Sequence, residues 1–191
     1  MNLFRLAPTA GLLSLMAVGF TGCLSEPTYS TTPEISFESI TRQRYNTPTG
    51  GIVDSIFITI NFQDGDGDLG LTNSEATSAA YAPGLNHLVT PFIKNTITGR
   101  FDSARSVYPY LPKRSYYSRF DHLSTTTDNR ASPLRGTLTR RYGFPLGSPF
   151  LNPLYTPSTV TSQEVKFTVS ILDRAKHQSN EVETTPITIA R

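Results

Sequence analysis

The residues best equipped for chemistry stand in one stretch, Asp64-Gly65-Asp66-Gly67-Asp68-Leu69-Gly70. Its three carboxylates recur at every second position on a glycine-rich turn. Unit like charges 4 Å apart repel by about 4 kcal/mol at an effective dielectric of 20. A loop that crowds such groups has two ways out. It can gather a hard cation such as calcium, which takes six to eight oxygens and is served by alternate aspartates on a tight loop. Or its side chains can splay into water and form Asx turns. The spacing leaves both open; calcium on Asp64, Asp66 and Asp68 is the expectation.

The three aspartates have the spacing of positions 1, 3 and 5 of an EF-hand loop, and Glu75 falls where that loop places its bidentate glutamate. The match is partial. Position 6 calls for glycine and holds Leu69, with Gly70 one place late. A strand rather than a helix leads in, so at most the loop geometry is shared.

A second candidate surface lies in the middle of the chain. Residues 100 to 141 hold nine of the 17 lysines and arginines and three of the 15 acids. Tyr108, Tyr110, Tyr116 and Tyr117 are interleaved with Arg114 and its neighbours. Tyrosine and arginine dominate binding hot spots, so these five residues form a candidate ligand surface for a glycan, an anionic polymer or a partner protein. The competing reading is a solvated set of strands whose tyrosines pack on the sheet.

Catalytic signatures are missing from the sequence. It has no Gly-x-Ser-x-Gly, P-loop, His-Glu-x-x-His or dinucleotide fingerprint. His87, His122 and His177 are scattered and read as packing or surface residues. The carboxylates cluster in one turn, which suits an ion better than an acid/base pair across a cleft. The expectation is a protein that is not an enzyme.

The elements that position these groups are strands. Ile56, Ile58, Ile60 and Phe62 alternate with Phe57, Thr59, Asn61 and Gln63, the period of a half-buried strand that ends in the acidic loop. Glu34 to Ile40 alternates too, and Thr47-Pro48-Thr49-Gly50-Gly51 is a turn. Residues 71 to 86 read as loop. Leu88 to Lys94 reads as a strand that Pro91 confines to an edge or a bulge. Residues 102 to 160 are irregular and rich in Pro and Tyr, with strands expected at Tyr117 to Leu123 and Leu134 to Thr139. Val165, Phe167, Val169 and Ile171 alternate in a late strand, a polar turn follows at 173 to 180, and 181 to 189 returns. The expected core is Ile35, Phe37, Ile56, Ile58, Ile60, Phe62, Val165, Phe167, Val169, Ile171 and Ile187.

Composition agrees with this pattern. The 191 residues suit one domain, and 13 glycines with 14 prolines favour strands and turns over helices. A net charge of +2 gives no reason to expect nucleic acid. The single cysteine excludes an internal disulfide and a multi-cysteine zinc site. About seven short strands predict an antiparallel, all-β sandwich of the immunoglobulin or fibronectin-III type.

The lone cysteine closes a recognisable leader. Met1 to Arg5 carries one positive charge, Leu6 to Phe20 is apolar, and Phe20-Thr21-Gly22-Cys23 follows. This resembles a bacterial lipoprotein signal, the lipobox, although Phe20 stands where an aliphatic residue is usual. The resemblance implies a signal peptide over 1-22, lipid on Cys23, and a membrane anchor. Leu24 after the cysteine, in place of Asp, implies the outer membrane, on either the periplasmic or the cell-surface face. Residues 23-33 would be the lipidated cysteine and a flexible tether, and 34-191 a single sandwich domain. The turn Asp173-Arg174-Ala175, with Ser179-Asn180, resembles the Asp-x-Ala-Gly-Asn-x-Ser of bacterial immunoglobulin-like domains, with Lys176-His177 in place of Gly-Asn. Together these features resemble a group of bacterial surface lipoproteins with an immunoglobulin-like domain.

That topology sharpens the ion site. If the Ile56 strand is B and the Val165 strand is F, the loops after them share one end of the sandwich. Asp173 would then complete a site with Asp64, Asp66 and Asp68, and Asn180 would lend its side-chain oxygen. The expected function is a lipid-anchored envelope protein with a structural calcium and a partner- or ligand-binding role. The alternative is a glycan-binding module of a nutrient-capture system.

Overall fold

A computed structural model describes residues 28–107, 109, 116–123, 131–145 and 162–190. Two antiparallel sheets face one another in an all-β sandwich. The first takes β1 (Glu34–Asn46), β2 (Ile52–Asp64) and β5 (Leu134–Pro145) in the order β1-β2-β5. The second takes β3 (His87–Lys94), β4 (Phe101–Ser103), β6 (Ser162–Ile171) and β7 (Val182–Glu183) in the order β4-β3-β6-β7, and β8 (Ile187–Ala190) also pairs with β6. With β1, β2 and β5 as A, B and E, and β4, β3, β6 and β7 as C′, C, F and G, this is an immunoglobulin-like order, with no D strand among the described residues.

Period-2 alternation builds the interior. Ile56, Ile58 and Ile60 are wholly buried on β2, facing Val165, Phe167, Val169 and Ile171 from β6. Val89 and Ile93 from β3 and Phe144 from β5 close the cluster. Each such side chain contributes roughly 1.5–3 kcal/mol on burial. Two expected core residues are only half-buried. Phe37 stands where the β1–β2 register shifts, between Phe37 and Ser39. Ile187 begins a short edge strand.

Pro91 lies opposite Phe167, and β4 pairs only from Phe92 onward, so β3 is an edge at the residue that lacks an N–H. The segment expected as a strand at Tyr117 to Leu123 forms no regular strand. It crosses the end of the sandwich by single bridges, His87 to Ser118 and Leu71 to Asp121. β5 runs longer than expected, through the Gly143-Phe144-Pro145 run read as irregular. The final strand divides into β7 and β8. Between them the Thr184 hydroxyl accepts the Phe167 N–H at 3.0 Å, standing in for a ladder bond.

Residues 71 to 86, expected as loop, hold a short helix α1 (Asn73–Thr77) and a single 3-10 turn over Ala79–Tyr81. A further short helix, α2, spans Ala104–Val107. The segment expected as a flexible tether is docked at its end. The Gly65 N–H donates to the Ser30 carbonyl at 2.7 Å, and Pro33 is buried. The chain therefore enters the sandwich beside the acidic loop.

Candidate metal centre

Two carboxylates owe their burial to strand parity. On β2 the inward positions run Ile56, Ile58, Ile60, Phe62 and then Asp64. On β6 they run Val165, Phe167, Val169, Ile171 and then Asp173. Alternation thus turns the last inward residue of each run toward the space between the sheets. Asp64 is 0 % exposed and Asp173 3 %. Leu69, also 0 % exposed, forms a bridge with Asp173 and draws the two loops together.

The acidic loop folds back on its own backbone. The Asp68 N–H donates to Asp64 Oδ2 at 3.1 Å. The turn after β6 then donates to Asp68 twice. The Arg174 N–H reaches the Asp68 carbonyl at 3.2 Å, and the Ala175 N–H reaches Asp68 Oδ2 at 3.1 Å. Gly70 lies at φ 84°, and a Cβ here would run into the Asp121 carbonyl. The departure from EF-hand spacing is therefore structural, with Leu69 serving the core and Gly70 making the sharp turn.

One carboxylate oxygen from each of Asp64, Asp68 and Asp173 lies within 4.8 Å of the others. Calcium–oxygen bonds of 2.3–2.6 Å put oxygens on opposite sides of the ion about 4.6–5.2 Å apart. The set could hold a metal ion. A separate observation points the same way. Asp64 Oδ1, Asp66 Oδ1 and Asp68 Oδ1 are buried and meet no hydrogen-bond partner among the described residues. An orphaned buried carboxylate oxygen is costly unless something supplies charge or donors. Burial, then the charges of Asp66 and Asp68, push the Asp64 carboxyl up to about 7. Burial, then Asp173 and Asp66, also raise Asp68.

Asp66 stands outside the three-oxygen set but beside it, adding to the negative potential on Asp64. Two residues considered as ligands are engaged elsewhere. Asn180 accepts the Ile35 N–H on Oδ1 and donates from Nδ2 to the Ile35 carbonyl, each at 2.8 Å, clamping β1. Glu75 accepts the Thr72 N–H at 2.9 Å and the Thr72 hydroxyl at 2.8 Å, and ion-pairs with Arg174. These contacts hold its carboxyl below the usual range, the Thr72 backbone bond foremost.

His177 is the site residue that sequence reasoning missed. Its N–H donates to Asp173 Oδ1 at 2.7 Å, and its Nδ1 lies 2.8 Å from Oδ2. The signal was its spacing four residues after a turn aspartate. Within the same turn Lys176 takes the left-handed conformation, φ 72°. The lysine stands where the resembled pattern has glycine, at a strain of about 1–2 kcal/mol.

The other two histidines are structural. His87 is fully buried and bonded through Nδ1 to the Tyr142 hydroxyl at 2.7 Å; burial pushes it down to about 3. His122 Nδ1 lies 3.1 Å from the Leu69 carbonyl. Of the candidate ligand surface, Tyr116 stacks on Phe144 at 5.6 Å between ring centroids. Tyr117 is half-buried at the acidic end of the sandwich. Tyr108, Tyr110 and Arg114 lie outside the described residues, as does Cys23. Several described arginines of the basic middle are dispersed: Arg119 pairs with Asp121 at 2.6 Å, while Arg141 reaches Ser55 from β5. In comparisons with known proteins the chain matches no family model, no curated protein and no solved structure.

Proposed function

We propose that this protein is a non-enzymatic lipoprotein of the bacterial outer membrane, anchored through lipid on Cys23, whose sandwich is fastened at one end by calcium. The lipobox-like leader supports the anchor. One observation carries the ion: Asp64, buried with an orphaned oxygen, faces carboxylates that arrive from the loop and from the other sheet. Asp64, Asp68 and Asp173 supply the first oxygens, and Asp66 lends charge from alongside. The role is structural, because the ion offsets repulsion that the fold itself creates. It leaves the rest of the domain to engage an envelope partner or ligand.

Calorimetric titration of calcium into the chain from Leu24 onward tests the site. One site with a Kd of roughly 10⁻⁴ to 10⁻³ M is expected for an extracellular module. At 100 times Kd, calcium then adds about 2.7 kcal/mol to unfolding. No heat and no change in melting temperature would sink the reading. The anchor has its own test, since Cys23→Ser should move the protein from the membrane fraction to the soluble one.

A clustered aromatic platform on one face would favour a glycan-binding role. Tyr116 is spent on Phe144, so among the described residues the tyrosine pair at 116 and 117 does not provide one.

A further inference from the structure

Beside the metal centre the sandwich carries a cleft of about 320 Å³. This is within the size range of small-molecule sites, roughly 300–1,000 Å³. Its floor is the outer face of the second sheet, where Leu88 and Leu172 are half-buried and turned away from the core. Its walls are Leu71 and Leu85 from the excursion between β2 and β3, with the rings of Tyr81 and Tyr117. Hydrocarbon and ring faces dominate.

The polar groups around the cleft are unequal. Asn86 is committed, donating to the Phe120 carbonyl at 3.1 Å and accepting the Phe120 N–H at 2.8 Å. The Asp173 carboxylate is fully buried and held by His177. Lys176 differs. It is exposed, and its Nζ stands 5.8 Å from the centre of the Tyr81 ring. Among the described residues no ion pair to it is found. It also occupies a left-handed backbone position that would suit glycine. The strained backbone thus places a cation at the edge of an apolar cleft.

We infer that this cleft binds a small amphipathic carboxylate, with its anionic head on Lys176 and its hydrocarbon body against Leu71, Leu85, Leu88 and Leu172. The cleft adjoins the proposed calcium centre, with Asp173 between the two, but its ligand would be held by Lys176 and the leucines rather than by the carboxylates. Apolar walls supply affinity, and the single cation fixes which end of the ligand enters last. A sugar would leave its hydroxyls facing leucine, without partners, in a cleft of this lining.

The test uses three probes with one six-carbon chain: hexanoate, hexanol and hexylammonium. They are titrated into the full chain in a non-ionic detergent, and the methyl resonances of Leu71, Leu85, Leu88 and Leu172 are followed. Hexanoate should bind saturably with a Kd on the order of 1 mM, the range for a ligand of this size. Hexanol should bind at least about fivefold more weakly, and hexylammonium more weakly still. Lys176→Gly separates charge from folding, because glycine relieves the positive φ. It should melt no lower than wild type yet lose hexanoate affinity by about fivefold or more. Equal binding of hexanoate and hexanol, unchanged affinity in Lys176→Gly, or no shift at the cleft leucines would each overturn the proposal.

Discussion

Asp64 occupies a position that strand alternation assigns to a hydrocarbon side chain, and its chemistry follows from that placement. Burial and two neighbouring aspartates push its carboxyl up to about 7 from an ordinary value near 3.8. The folded state thus keeps this proton to higher pH than the unfolded chain does. Its contribution to the stability of the ion-free protein is then fully present below about pH 4, is lost as pH rises toward 7, and is gone above it. Asp68, also raised by burial and by Asp173 and Asp66, adds to the same slope. Urea unfolding in EDTA across this range should show that decline. Asp64→Asn should flatten it, and above pH 7 should make the ion-free protein more stable by about 1–3 kcal/mol, the order seen on removing an uncompensated buried charge. Calcium should abolish the decline in wild type and leave the variant unmoved. A decline undiminished in Asp64→Asn would assign it to other groups.

At the scale of elements, what was legible in the sequence was what has a period. β2 and β6 were read from alternation, β6 from Val165 although it begins three residues earlier at Ser162, and the parity of Asp64 and Asp173 was already implicit in it. α1 was invisible to periodicity because five residues make little more than one turn. Its signal is local, the Thr72-x-x-Glu75 capping box, in which each side chain satisfies the other's backbone N–H. The Tyr117 to Leu123 segment failed for the opposite reason. Its residues suit a strand, but its backbone pairs by single bridges to separate partners, which no local pattern encodes. His177 was missed because its role depends on a turn that brings it back to Asp173. Glu75 links these scales, serving Thr72 and ion-pairing with Arg174 on the far loop. Thr72→Ala should therefore cost about 1 kcal/mol in urea unfolding, the usual value of a lost N-cap. It should also loosen the Arg174 turn, read as faster exchange of the Ala175 amide. A cost near zero would mean that α1 is held by packing rather than by its cap.

At the scale of the whole molecule, the fold separates its two ends by charge and connectivity. One end carries the chain entry at Ser30, the acidic loop, the turn after β6 and the leucine cleft. The other carries the Thr47–Gly51 turn, where the Gly51 N–H donates to the Thr47 hydroxyl at 2.8 Å. In the ion-free state the bonds between the loops at the acidic end are opposed by carboxylate repulsion, so local opening should be easier there than with the ion bound. A shared ion would tie residues more than 100 positions apart, the long-range closure that costs most chain entropy. Hydrogen exchange reads this directly. Calcium should slow the amides of Asp68, Arg174, Ala175 and His177 together, because each donates to an atom of the acidic loop or of Asp173. The Gly50 and Gly51 amides at the opposite turn should be unchanged. Protection confined to residues 64 to 70 would mean that the loop binds calcium alone and that Asp173 only packs beside it. Protection spread evenly over both ends would mean general tightening rather than a clamp. Joint protection of the two loops, with the far turn unmoved, is what a clamp between the sheets requires.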